Sequence, residues 1–133
     1  MYDGPKGDIT FKNCRIAHSG EHGVFIRSDQ VNPTETFNIN FENTSIVNSA
    51  NKSIEFAPIS LQNTHEPGGI TNINFGDNFL IVDDKDRSPL SASYFTKLHG
   101  LTNVHGKIKV QNPHIQKPDL GKNLQNVTLK FIN

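Results

Sequence analysis

One short pattern keeps returning along this chain, and it constrains the fold more than any other feature. Asp8-Ile9-Thr10-Phe11-Lys12-Asn13 comes back as Asn38-Ile39-Asn40-Phe41-Glu42-Asn43 and again as Asn72-Ile73-Asn74-Phe75-Gly76-Asp77. Weaker copies follow at Asn103-Val104-His105-Gly106-Lys107-Ile108 and Asn126-Val127-Thr128-Leu129-Lys130-Phe131. Within each copy the apolar residues alternate with polar ones, the period-2 signature of a half-buried strand. The aliphatic markers Ile9, Ile39, Ile73, Val104 and Val127 stand 30, 34, 31 and 23 residues apart. A unit of that length built from short strands cannot bury its apolar face alone, and stacking on its neighbours does it. The expected fold is all-β: a right-handed parallel β-helix of about four coils. Residues 1–113 would form the coils, and 114–133 an irregular segment plus a terminal strand that caps or pairs with the last coil.

Each coil reads as three strands. The first runs through Ile9–Lys12, an Asn13 corner, Cys14–Ala17, a corner at His18–His22 and Gly23–Arg27. The second runs through Phe37–Glu42, Asn43, Thr44–Val47, Asn48–Lys52 and Ser53–Ala57, with Ile59–Leu61 prolonging that last strand past Pro58. The third has Thr71–Phe75, a corner at Asp77-Asn78, Phe79–Val82, and a strand at Ser91–Leu98. Coil four runs from Leu101 to Val110 and ends at Asn112-Pro113; Leu124–Ile132 is the last strand. Stacking would gather the Ile and Phe residues into core columns and Asn13, Asn43 and Asp77 or Asn78 into a hydrogen-bonded corner ladder. No segment carries helical apolar spacing over two turns.

Composition narrows the function classes. Hydrophobic residues are only 34% of the chain, which suits the narrow core of a coil stack. Thirteen basic and thirteen acidic residues cancel, so no charge surplus draws nucleic acid or an anionic membrane. No apolar run approaches the roughly 20 residues of a membrane span. The single Cys14 forms no internal disulfide and reads as a small packed residue. Asp83-Asp84-Lys85-Asp86-Arg87 neutralises itself and lacks calcium-loop spacing. No metal and no cofactor are expected.

Gly23-Val24-Phe25-Ile26-Arg27-Ser28, then Phe37–Asn43, then Ala57-Pro58-Ile59-Ser60-Leu61-Gln62 resemble the pectin-lyase-like superfamily, nearest to the late, C-terminal coils of polygalacturonase-type glycoside hydrolases. The resemblance covers roughly residues 8–64. It implies a secreted or periplasmic parent protein, although the chain shows no signal peptide. It implies a polysaccharide or oligosaccharide as partner. Where that family carries Arg and Lys two apart on its sugar-binding strand, this chain has Phe25 and Arg27, and the family's catalytic acids and Gly-His-Gly lie in coils upstream of the matching region. The expected role is therefore a glycan-binding groove without catalytic acids. The rival is a structural solenoid segment of a fibre, adhesin or assembly protein, with possible self-association through exposed coil ends.

Candidate site residues follow from strand alternation. With Val24 and Ile26 inward, Phe25 and Arg27 face solvent. One coil on, Ile54 and Phe56 would point inward and Glu55 and Ala57 outward, which would make Phe25 and Glu55 neighbours. An aromatic ring stacks on a sugar face, while a guanidinium and a carboxylate bond hydroxyls. His22 and His65 lie in loops bordering the same face.

Overall fold

The structure is a computed structural model that describes residues 7–28, 37–63, 70–83, 94–111, 117–119, 121 and 124–132. These residues form eleven strands and, among the described residues, no helix. The strands are β1 (Gly7–Lys12), β2 (Arg15–Ala17), β3 (Val24–Ser28), β4 (Phe37–Glu42), β5 (Ser45–Val47) and β6 (Ile59–Asn63). They continue with β7 (Ile70–Val82), β8 (Tyr94–His99), β9 (Leu101–Gln111), β10 (Lys117–Asp119) and β11 (Gln125–Ile132). The fold is all-β and every pairing is parallel. One sheet has seven strands, in the order β1-β4-β7-β5-β2 with β9 on β7 and β11 on β9; the other runs β10-β8-β6-β3.

The recurring sequence pattern sets the register. Ile9 lies opposite Ile39, Ile39 opposite Ile73, Ile73 opposite Val104, and Val104 opposite Val127. Beside that column the rings of Phe11, Phe41 and Phe75 stack at centroid spacings of 5.2 Å, tilted by 14° and 7°. Phe79 meets Phe41 and Phe75 edge-on, at 84° and 82°. The core is completed by Ile46, Ile81, Ile59, Leu61 and Leu98, all buried.

The expected Asn corner is present. Asn13, Asn43 and Asn78 adopt φ of 57°, 46° and 60°, a left-handed conformation that Asn tolerates better than other side chains do. Asn43 Nδ2 donates to Asn13 Oδ1 at 2.7 Å. Asn78 rather than Asp77 takes the corner, because the Asp77 carbonyl accepts the Asn43 N–H at 2.8 Å. A second row was not anticipated: Asn72, Asn103 and Asn126 bend β7, β9 and β11 at φ of 59°, 56° and 54°. Asn126 Nδ2 donates to Asn103 Oδ1 at 2.6 Å, and Asn103 Nδ2 to Asn72 Oδ1 at 3.3 Å. The corner row stops at Asn78 because β9 has only Lys107 between Gly106 and Ile108, where β7 has Gly76, Asp77 and Asn78 between Phe75 and Phe79. The shortened path needs Gly106, at φ 137°, where a Cβ would lie 2.0 Å from the Phe75 carbonyl oxygen.

Several expectations need correction. Ser53–Ala57 is not a strand: Phe56 N–H closes a turn on Ser53 O at 3.3 Å, and the strand begins at Ile59. Ile54, expected inward, is 57% exposed, and Ala57, expected outward, is buried. Pro58 has no N–H to give to a ladder, and its carbonyl instead accepts the N–H groups of Gly23 and Val24 at 3.0 and 2.8 Å. Lys117–Asp119, expected to be irregular, forms the short strand β10, and Pro118 is tolerated because β10 is an edge strand that, among the described residues, pairs with β8 alone. Of the third strand expected at Ser91–Leu98, the part from Tyr94 on is strand and runs one residue further, to His99, while 91–93 lie outside the described residues. Of the loops expected at Ser28–Thr36, Thr64–Gly69 and Asp83–Pro89, Ser28 instead ends β3 and Asp83 follows β7, and the other residues lie outside the described ones.

Two stability predictions follow from this geometry. Asn43→Gly keeps the left-handed backbone and loses one exposed hydrogen bond, whereas Asn43→Ala adds a conformational cost of about 1–2 kcal/mol. Urea midpoints for the two variants should therefore rank Gly above Ala. Thr96 lies opposite Ile59 on the inward face, and its buried hydroxyl has no hydrogen-bond partner among the described residues. Thr96→Val should stabilise the protein by about 1 kcal/mol, read as a higher urea midpoint at unchanged slope.

Candidate functional site

The outer face of the four-stranded sheet is built by the alternation of β3, β6 and β8. Val24 and Ile26 pack inward, which turns Phe25 and Arg27 outward. The register sets Phe25 opposite Ser60 and Ser60 opposite Lys97, with Arg27 opposite Gln62 and Gln62 opposite His99. Two parallel rows result, Phe25–Ser60–Lys97 and Arg27–Gln62–His99. Phe25 is 53% exposed, a large apolar surface presented to solvent on a strand.

His22 is the residue that positions the aromatic part of this face. Its ring stacks on Phe25 at 4.9 Å and 28°, and meets Phe56 edge-on at 5.1 Å and 84°. Nδ1 lies 3.1 Å from the Ala57 N–H and 3.0 Å from the Ala57 carbonyl oxygen. In the tautomer with a bare Nδ1 the ring accepts from that N–H, which ties it to the Ala57 main chain. The Ser19 hydroxyl donates to the His22 carbonyl at 2.7 Å and braces the same corner from the other side.

The remaining candidates fall elsewhere. Glu55 sits at the exposed tip of the Ser53–Phe56 turn, its N–H on Ser53 Oγ at 3.2 Å, and the register puts Ser60 rather than Glu55 beside Phe25. The Glu55 main-chain carbonyl, not its carboxylate, meets this face: it accepts a hydrogen bond from Lys97 Nζ. Glu21, beside His22 in sequence, pairs with Lys52 at 3.5 Å. His65 lies outside the described residues. The structure thus brings His22, Phe25 and Arg27 to one face and leaves Glu55 at its margin.

Ser60, Gln62, Lys97 and His99 complete the face, and only Pro58 signalled the first two in the sequence, as the marker of where β6 starts. Ser60 is buried beneath its neighbours and accepts from Gln62 Nε2 at 2.9 Å, which fixes that amide on the floor between Phe25 and Arg27. Around one exposed ring the face therefore offers a guanidinium, an amide, an imidazole and an ammonium. It can stack against a flat apolar surface and hydrogen-bond the polar groups at its rim. No three His, Cys, Asp or Glu side chains converge as metal donors among the described residues. No helix there is long and apolar enough to cross a membrane.

No family model, curated protein or solved structure matches the chain.

His22→Ala removes two ring contacts and the partner of the Ala57 amide. It should cost about 1–3 kcal/mol of stability in chemical denaturation, whereas Glu55→Ala at the turn tip should stay within about 0.5 kcal/mol.

Proposed function

We propose that the chain is a right-handed parallel β-helix of about four coils that binds a polysaccharide or oligosaccharide across the Phe25–Arg27 face. In this reading it is similar to the late coils of polygalacturonase-type glycoside hydrolases and belongs to a secreted or periplasmic protein. The parallel pairing of β1 and β2 with strands 30 residues further on, and of β3 with one 35 further on, supports the winding. The observation that carries the binding reading is the exposed Phe25 ring, stacked on by His22 and flanked by Arg27 and Gln62. An immobilised ring offers stacking area at little entropic cost, and the surrounding donors suit vicinal hydroxyls or a uronate.

Cleavage is not part of the proposal. Inverting hydrolysis uses two carboxyl groups about 6.5–9.5 Å apart across a groove, and retaining hydrolysis two about 5–5.5 Å apart. Glu21 is engaged with Lys52, and Glu55 stands at a solvated turn tip.

Affinity electrophoresis through gels containing polygalacturonate, xylan or a mixed-linkage glucan tests the reading. At least one polymer should retard the protein, and Phe25→Ala combined with Arg27→Ala should weaken that binding by about tenfold or more. No reducing sugar should be released from any of the three. Retardation unchanged in the double variant, or no retardation by any polymer, would reject the reading.

A further inference from the structure

At one end of the seven-stranded sheet β1 is paired on one side only, with β4, and β2 and β3 likewise pair only with β5 and β6 among the described residues. The side chains there lack the layer that covers their equivalents. Ile9 is 41% and Phe11 43% exposed, while Ile73 and Phe75 in the same columns are each 1% exposed. Phe11 stacks on Phe41 through one ring face, and among the described residues no other ring stacks on it. A 290 Å³ hollow opens beside it, lined by Ile9, Phe11, Ile16, Val24 and Ile26. An uncovered strand edge above an apolar layer is a template for another strand.

We infer that this end docks on the same end of a second copy about a two-fold axis, with β1 antiparallel to β1. The pattern of β1 is self-complementary in that direction. About a centre at Thr10, Asp8 faces Lys12 of the second copy, Ile9 faces Phe11, and Thr10 faces Thr10. The apolar residues of both copies then meet on the core side and two opposite-charge pairs form on the outer side. Such an isologous contact closes on itself as a dimer.

The opposite end does not fit β1 equally well. Stacking β11 in parallel on β1 would set Lys130 beside Lys12. It would also oppose acceptors, because three side-chain amides here donate toward the earlier strand: Asn38 to Asp8, Asn103 to Asn72, and Asn126 to Asn103. What remains at Asn126 is a carbonyl oxygen, and it would face the Asp8 carboxylate.

Sedimentation equilibrium of the full 133-residue chain tests the inference. The expected result is a reversible monomer–dimer equilibrium. Asp8→Lys and Lys12→Asp, made singly, place like charges in contact at two points and should each weaken the dimer by roughly tenfold or more. The double exchange should restore it, which a variant that merely failed to fold would not do. Lys130→Asp should leave the dimer unchanged. A monomer at every concentration, species growing beyond the dimer, a double exchange no tighter than the single variants, or a Lys130→Asp variant that alters association would each overturn the inference.

Discussion

The structure depends on parallel pairing between residues far apart in sequence. Strands as short as the three-residue β2 and β5 do not persist alone. Here each has its backbone groups met by a strand from the next repeat, at a spacing of about 4.8 Å. In-register parallel pairing stacks like on like, so the sequence is confined to residues whose self-contacts are favourable. Phe rings stack face to face, aliphatic residues interlock, and carboxamides each supply a donor and an acceptor. Charges face the opposite problem. Lys12 lies opposite Glu42 and the two pair at 3.9 Å, whereas Lys107 and Lys130 lie opposite each other and stay exposed. The high Asn content and low hydrophobic content are two consequences of this one constraint.

Corners are where the stacking rule has to be reconciled with repeats of unequal length. A single left-handed residue turns the chain between strands, and Asn fills that role while its side chain bonds the Asn of an adjacent layer. Glycine takes over where the layers approach too closely for any Cβ. At Gly23 a Cβ would lie 2.7 Å from Ile46 Cγ2 and 2.9 Å from the Pro58 carbonyl oxygen, because that carbonyl reaches in to cap the start of β3. At Gly106 the cause is the shortened corner, which brings β9 onto the Phe75 carbonyl.

Much of this was legible in the sequence, since columns of like residues are both the repeat and the register. Ile9, Ile39, Ile73, Val104 and Val127 pair as their recurrence implied, and the Asn corner followed from three copies of one motif. The misreading of Ser53–Ala57 has a definite cause. Ile16 pairs with Ile46 across 30 residues, and carrying that step forward sets Val24 opposite Ile54. Val24 instead pairs with Ile59, 35 residues on, so five more residues lie in the second corner than in the first. Ile54-Glu55-Phe56-Ala57 alternates as a strand does, and alternation alone cannot show that its polar groups are spent on a turn. Pro58 was the readable warning, for a proline is tolerated at the start of a strand but not inside a paired one. The Asn72, Asn103 and Asn126 row escaped notice because each stands just before an aliphatic marker, in a segment that reads as uninterrupted strand.

Those five additional residues also make the candidate face different from the rest of the surface. Elsewhere the outward side chains form regular rows: Asn38 on Asp8, Asn103 on Asn72, Glu42 beside Lys12. In these rows each polar group meets a complementary counterpart on the adjacent strand. The longer corner folds the Ser53–Phe56 turn toward the outer face of the four-stranded sheet, where Phe56 meets the His22 ring and the Glu55 carbonyl takes the Lys97 ammonium. His22 is drawn to the Ala57 main chain and laid against Phe25. The Phe25–Ser60–Lys97 row therefore holds three unlike side chains, and its aromatic member has no stacked counterpart in the next strand. An exposed ring in a row that does not repeat is surface left over from folding. The departure from periodicity at the second corner thus coincides with the place where an aromatic ring stands exposed on the outer face.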